Sequence, residues 1–305
     1  MNIIYKKFKS DSLDGDWAIT IGNFDGYHLG HQKLVQQVLE DSKKLNIKAG
    51  LLTFDPHPKK VLQSQIPFRH IYDLSNKCQI LKKSGLDACF IIPFTTKFAK
   101  MDSHMFLEKL FSFINLKKIV VGYDFNFGKA REGSAKLMEQ EATKKGIDFI
   151  KMPAVQIDGL TVSSTMIRRL LFEGDFSKVS QFLGRPWAIS GVVQEGKKLG
   201  HTLGFPTINL EPDVLLPLRR GVYTCKVQYG DRLINGVCNV GINPTFEGTT
   251  LKVESHLFDF NEKIYGASVS VIPERFLRDE TKFDSIDALK KQINEDVKTA
   301  RAYFS

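Results

Sequence analysis

Gly50-Leu51-Leu52-Thr53-Phe54 and Cys89-Phe90-Ile91-Ile92-Pro93-Phe94 are short runs almost unbroken in apolar residues. A strand with one wet face alternates apolar with polar, so such runs belong to parallel strands covered by helices on both sides. Outward from them, strand-like and helical patterns alternate. WAITIG (17–22) leads into an amphipathic stretch at 31–46, and IKAGLLTF (47–54) into a helical pattern near Asn76 to Ser84. DACFIIPF (87–94), KKIVVG (117–122) and IDFIKM (147–152) are separated by helical stretches at 103–114 and 134–146. This βαβα order predicts a doubly wound parallel α/β sheet, with ligands bound in loops beyond the carboxyl ends of the strands.

Past Gly184 the texture changes to strand-like stretches at 187–194, 221–230, 233–241, 250–260 and 267–276, separated by Gly, Pro and Asn. One amphipathic helix follows. Its apolar positions Ile286, Leu289, Ile293 and Val297 recur at helical spacing, and Asp284 or Ser285 can cap it. A small antiparallel β-barrel with a C-terminal helix packed on it is expected. The boundary falls where FLGRP (182–186) ends a helical pattern with Gly and Pro, so the expected domains are 1–184 and 185–305.

A length of 305 residues suits two such domains, and 42% hydrophobic with 25% charged residues excludes disordered and fibrous classes. No segment approaches the ~20 apolar residues that span a bilayer, and MNIIYKKFKSDSLDGDW at the start lacks a signal-peptide core, so a cytoplasmic protein without a membrane partner is expected. Cys78, Cys89, Cys225 and Cys238 form no C-x-x-C pair and have no His at zinc-finger spacing, which predicts reduced, buried thiols. Net charge is +9; up to Gly184 there are 27 basic against 19 acidic residues, and beyond it 16 against 15. The basic half suits a polyanion, and local motifs must say which one.

Ile21-Gly22-Asn23-Phe24-Asp25-Gly26-Tyr27-His28-Leu29-Gly30-His31 follows the first strand and runs into the first helix, where backbone N–H groups and the helix dipole attract phosphate. His28 and His31, three apart with Gly30 between, can both donate to a polyphosphate while charge builds on a departing pyrophosphate. An isolated H-x-G-H is also a common accident of loop sequence. Val162-Ser163-Ser164-Thr165-Met166-Ile167-Arg168-Arg169 places hydroxyls at a helix start and guanidinium groups in its first turn. Capping explains one hydroxyl; the others and Arg168 suit phosphate.

Together, G-x-F-D-G-x-H-x-G-H and S-S-T-x-x-R resemble the nucleotidylyltransferase superfamily, and T-F-D-P-H-P (53–58) with V-G-Y-D-F-N-F-G (121–128) resemble its FMN adenylyltransferase module. The resemblance implies ATP binding at Gly22, Asn23, Asp25, His28, Gly30, His31, Ser163, Ser164, Thr165 and Arg168. It places Asp124 beside nucleotide or flavin and the 53–58 loop at the flavin end. The implied chemistry is attack by the FMN phosphate on the α-phosphorus of ATP, giving FAD and pyrophosphate by positioning, Mg2+ and donors to the leaving group. Walker A and G-x-G-x-x-G sequences are absent.

In the second half, G-K-K-L-G-H-T-L-G-F-P-T-I-N (196–209) combines glycines, cations and a P-T-x-N tetrad. Thr207 and Asn209 offer two neutral oxygens on one side of an extended chain, which suits a hard Mg2+; an ordinary turn is the plainer reading. With N-P-T-F (243–246), V-E-S-H-L-F (253–258) and F-L-R-D-E (276–280), this block resembles riboflavin kinase. The resemblance implies nucleotide and metal binding around Gly204, Thr207 and Asn209, with Glu254 as general base toward the ribityl 5′-hydroxyl and Arg278 near the flavin. His201 stands where that family usually has Arg, Lys or Gln, and Ile208 replaces its usual Ala, so a weaker phosphate grip is expected, with kinase activity surviving because Thr207, Asn209 and Glu254 all remain.

The resemblance spans nearly the whole chain and is that of bifunctional riboflavin kinase/FAD synthetases, with ATP, riboflavin and FMN as partners and no nucleic acid. An adenylyltransferase with a weakened kinase barrel is the runner-up. A nucleic-acid binder is the remote alternative, disfavoured by the near-neutral barrel half.

Overall fold

A computed structural model describes residues 2–5, 13–196, 203–245 and 248–305. The chain divides into two compact units, Met1–Phe68 with Leu74–Ser163, and Arg69–Asp73 with Ser164–Ser305.

The first unit runs β1 (Asn2–Tyr5), β2 (Leu13–Ile21), α1 (Leu29–Leu45), β3 (Lys48–Asp55), α2 (Pro58–Leu62), α3 (Leu74–Lys82), β4 (Ala88–Pro93), α4 (Thr96–Ala99), α5 (Ser103–Phe113) and β5 (Ile114–Val121). It continues with β6 (Asn126–Phe127), β7 (Gly133–Ser134), α6 (Ala135–Lys144), β8 (Asp148–Lys151), β9 (Gln156–Ile157) and β10 (Leu160–Thr161). The main sheet has the order β1-β4-β3-β2-β5-β8 with every neighbouring pair parallel. Successive residues on its strands feed opposite cores, as the pleat dictates. Ile19, Leu52, Phe90 and Ile119 pack with Phe106, Leu110 and Phe113 of α5 on one face. Ala18, Leu51, Ile91 and Val120 pack with Val35 and Val38 of α1 and Leu81 of α3 on the other. Both faces are covered, which is why the strand runs read as unbroken apolar. β3, β4 and β1 lie to one side of β2 and β5 and β8 to the other, so the strand order reverses between β2 and β5 and opens a crevice beyond their carboxyl ends.

The second unit contains α7 (Ser164–Glu173), α8 (Phe176–Leu183), β11 (Ile189–Val192), β12 (Thr207–Leu210), β13 (Gly221–Tyr229), β14 (Arg232–Thr245), β15 (Gly248–Leu257), β16 (Ser268–Asp279) and α9 (Ile286–Phe304). Gly184, left-handed at φ 67°, ends α8. The strands form one antiparallel sheet in the order β11-β16-β13-β14-β15-β12. The Gln194 N–H donates to the Asn209 carbonyl at 2.9 Å, so the chain just past β11 meets β12 and the sheet nearly closes. Register shifts beside Tyr223 and Cys225 sharpen its curvature. The segment Arg69–Asp73 is tied into this unit: the Trp187 indole N–H donates to the Ile71 carbonyl at 3.0 Å and the His70 N–H to the Leu215 carbonyl at 2.8 Å.

Helix α9 is capped by Ser285, whose Oγ accepts the Ala288 N–H at 3.1 Å. Its first apolar position departs from expectation. Ile286 is 65% exposed, and the contact comes from the second half, where Val297, Ala300 and Phe304 pack on Val222, Val237 and Phe258. Polar contacts add to it: Arg278 Nε donates to Asp296 Oδ1 at 2.9 Å and Nη2 to Oδ2 at 2.7 Å. Asp296 is buried, so Asp296→Ala strands a partly buried guanidinium and should cost about 3 kcal/mol, read as a fall in the unfolding midpoint in urea. All four cysteines are free and buried, as expected, and burial pushes the Cys89 thiol up to about 12.

Candidate functional site

In the first unit the loop after β2 lies at the strand-order reversal. His28 is the N-cap of α1, with Nδ1 accepting the His31 N–H at 3.4 Å. Because Nδ1 accepts, the neutral ring carries its proton on Nε2. The two imidazoles stack at 3.6 Å between centroids and 18° between planes. The spacing of H-x-G-H is therefore that of a helical first turn, which brings cap and third residue together. Gly30 is required for this packing: a Cβ there would stand 3.1 Å from His28 Cε1 and Nδ1. Between β2 and α1 the backbone curls through left-handed conformations at Phe24, Gly26 and Tyr27 (φ 49°, 85° and 41°). Buried Phe24 and Tyr27 hold it there by packing, at a cost of about 1–3 kcal/mol per strained non-glycine residue. Asp25, at the centre of the curl, is buried. The Thr53 hydroxyl at the end of β3 donates to the Asn23 carbonyl at 3.0 Å, and the Gly22 N–H to the Leu52 carbonyl at 3.1 Å.

Gly122, at the end of β5, lies against Leu34 of α1, and Asp124 follows it. Asp124 also stands near Tyr123, whose phenol is raised above its ordinary value by burial and then by that carboxylate. Ser163 closes the first unit; the carbonyl of neighbouring Val162 lies 3.7 Å from where a Gly30 Cβ would stand. Ser164, Thr165 and Arg168 fall in the second unit, in the first turns of α7, and Arg168 Nε donates to the Arg69 carbonyl at 2.8 Å. Past β3, the His57 Nδ1 accepts the Lys59 N–H at 3.2 Å and its ring stacks on Phe68. Partly exposed Phe54, Phe94 and Phe98 meet at 5.4–5.8 Å between centroids at the carboxyl ends of β3 and β4. Sequence reading did not single out Phe94 and Phe98 as a cluster, because each is an ordinary loop aromatic until the parallel strands align their ends.

In the second unit the decisive feature is register. Asn209 of β12 faces Glu254 of β15, which faces Asn239 of β14. Directly paired residues point to one side of a sheet, and the same side of β14 carries Val237 under α9, so this row lies on the outer face beside the helix. Asn209 is buried at 4% exposure, and its Oδ1 has no hydrogen-bond partner among the described residues. An orphaned buried acceptor is costly and fits a cation ligand, so the residues present suit a divalent metal. Lys252 Nζ lies 2.6 Å from Glu254 Oε1. Thr207 pairs with His256, whose Nδ1 lies 2.9 Å from the Pro206 carbonyl. Gly204 takes φ 88°, a left-handed turn with open space where a Cβ would go. Arg278, expected near the flavin, is held by Asp296 as described. Asn239 and Lys252 were missed in the sequence, where nothing but strand register marks them. Pro244 and Thr245 pair with Thr249 and Gly248 in the β14–β15 hairpin, while residues 197–202, including His201, and Phe246 lie outside the described residues.

Residues 10–166 match the family model for FAD synthetase and residues 183–304 that for riboflavin kinase. The chain belongs to the bifunctional riboflavin kinase/FMN adenylyltransferase family. It is 35% identical to the bifunctional riboflavin kinase/FMN adenylyltransferase of Haemophilus influenzae over 290 residues, 94% of each chain. Identity to the Escherichia coli K12 enzyme of the same description is 34% over 295 residues, covering 94% of this chain and 92% of that one. A crystal structure described as a macrolide-efflux protein from Streptococcus pneumoniae superposes with a TM-score of 0.78 at 30% identity, covering 98% of both chains. No helix among the described residues is long and apolar enough to cross a membrane. The two halves of this family member are a FAD synthetase module followed by a riboflavin kinase module, and neither the single-activity nor the nucleic-acid reading is favoured.

Proposed function

We propose that residues 1–184 transfer the adenylyl group of ATP to FMN and residues 185–305 phosphorylate riboflavin, so that one chain carries riboflavin through FMN to FAD. The observation that carries this reading is the pairing of each family match with a polar constellation of its own. These are His28 and His31 at the amino end of α1, and Glu254 with Asn209 on the barrel.

In the adenylyl transfer, the α1 amino terminus and its dipole receive the triphosphate, helped by the backbone of Gly22, Asn23 and Gly30. The FMN phosphate oxygen attacks the α-phosphorus and the bond to the bridging oxygen breaks, so negative charge accumulates on pyrophosphate. His28 Nε2–H and the imidazole of His31 donate to that charge. Ser163 suits a phosphate oxygen, while Asp25 and Asp124 orient the bound nucleotide or flavin; Ser164, Thr165 and Arg168 of the second unit offer hydroxyls and a guanidinium group at the start of α7 whose chemistry suits phosphate. The partly exposed edges of Phe54, Phe94 and Phe98 suit a flat isoalloxazine ring, placing the flavin beside the 53–58 loop.

In the kinase, Thr207 and Asn209 would hold Mg2+, which would supply positive charge against the nucleotide phosphates. Glu254 accepts the proton of the ribityl 5′-hydroxyl as the hydroxyl oxygen attacks the γ-phosphorus and the bond from that phosphorus to the β–γ bridging oxygen breaks, releasing ADP; Lys252 fixes the orientation of the Glu254 carboxylate. Gly204 lets the backbone approach the phosphates, and Arg278 anchors α9 beside the flavin. ATP is abundant in the cytoplasm, and a location there suits an enzyme that uses it twice. Incubation with riboflavin, ATP and Mg2+, followed by chromatography, tests the reading: FMN should appear first and FAD after it, and failure to form either product would refute it.

A further inference from the structure

Lys77 of α3 is a cation inside an otherwise apolar layer, 9% exposed, with Cys78 and Leu81 of the same helix buried around it. Burying an ammonium group is costly unless anions or strong acceptors surround it. No carboxylate oxygen lies within ion-pair distance among the described residues. Its Nζ instead donates to the Asn23 carbonyl at 3.4 Å and the Thr53 hydroxyl at 3.3 Å. Thr53 Oγ1 donates to the same carbonyl at 3.0 Å, so both side chains converge on one oxygen. Charged donors at full strength sit near 2.8 Å, so these longer contacts leave the positive charge under-compensated. Asn23 immediately precedes Phe24, the first left-handed residue of the curl that leads to His28.

We propose that Lys77 is a positioning residue for adenylyl transfer, pinning the Asn23 peptide so that the curled 23–27 backbone presents itself to the polyphosphate of a nucleoside triphosphate while its charge favours that anion. The proposal rests on the assignment of this loop to ATP. A plain packing role would be met more cheaply by Leu or Met, which suit a buried helix face and carry no desolvation cost. Desolvation lowers the Lys77 ammonium below its ordinary range, while Asp25, Cys89, Cys78 and Asp55, in that order, act against it. Only the charged form attracts the polyphosphate and donates to Asn23 with charge-assisted strength, so adenylylation should fall as pH rises through that lowered value.

The test measures both steps on the full chain, riboflavin phosphorylation serving as the control for folding. Lys77→Met should lower kcat/KM for ATP in FMN adenylylation by about tenfold to a hundredfold while the KM for FMN and the kinase step stay within about threefold. Lys77→Arg keeps a charge that does not titrate; it should recover part of the activity and lose the alkaline limb of the pH profile, which a purely packing residue would leave in place. Should Lys77→Met not accumulate as folded protein, Thr53→Val carries the test. It removes the acceptor for Lys77 and the donor to Asn23, and should raise the KM for ATP about fivefold with a smaller change for FMN, whose ring lies beside the same loop. Wild-type kinetics with an unmoved alkaline limb in Lys77→Arg, or equal losses for ATP and FMN in the others, would overturn the proposal. The loop assignment itself is judged separately, by His28→Ala/His31→Ala: if that variant also keeps adenylylation, the loop reading has failed rather than Lys77 alone.

Discussion

Glu254→Ala is expected to lower riboflavin phosphorylation by about a thousandfold, with adenylylation of supplied FMN within about twofold of wild type. A positioned base contributes on that scale when the attacking group is an unactivated alcohol, and among the described residues Glu254 is the carboxylate in the row with Asn209 and Asn239. The substitution also leaves Lys252, 14% exposed, without its 2.6 Å partner, and some stability will be lost for that reason alone. Glu254→Gln separates the two effects, because it keeps an acceptor for Lys252 and cannot take a proton. Both variants should be inactive as kinases at temperatures well below their unfolding midpoints. Retention of phosphorylation by Glu254→Gln would show that another group serves as base.

His28→Ala combined with His31→Ala should do the reverse, reducing FMN adenylylation by at least about a hundredfold while riboflavin is still phosphorylated. The imidazoles stack on one another and stand at the helix terminus, so removing both takes away two donors to the leaving pyrophosphate. His28 also caps α1, and losing a cap costs about 1 kcal/mol. His28→Asn keeps a strong capping side chain without an imidazole. If it behaves like wild type in adenylylation, His28 contributes as a cap alone. Loss of both steps by a folded double variant would contradict the division of labour between the two halves.

Much of the architecture was readable along the chain because it depends on local repetition. Unbroken apolar runs at 50–54 and 89–94 follow from the two helical layers, since both sides of each strand face a core. H-x-G-H reads as a helix start because cap and third residue meet by helical geometry whatever surrounds them. Ser285 could be named as a candidate cap for the same reason. Ile286 could not be placed, because periodicity marks a stripe without saying how much of the helix lies over the barrel.

Residue order by itself determined the plan of a parallel α/β unit followed by an antiparallel barrel and marked the H-x-G-H loop and Glu254 as candidates, since each is written in short local patterns. Only the folded molecule decided which distant side chains meet: Asn239 and Lys252 with Glu254, Phe54 with Phe94 and Phe98, and Lys77 with the carbonyl of Asn23. The physical reason is range. A cap or an alternating strand is settled by bonds within one turn or one pleat, whereas strand register and the burial of a charge depend on packing between segments that the chain brings together from far apart.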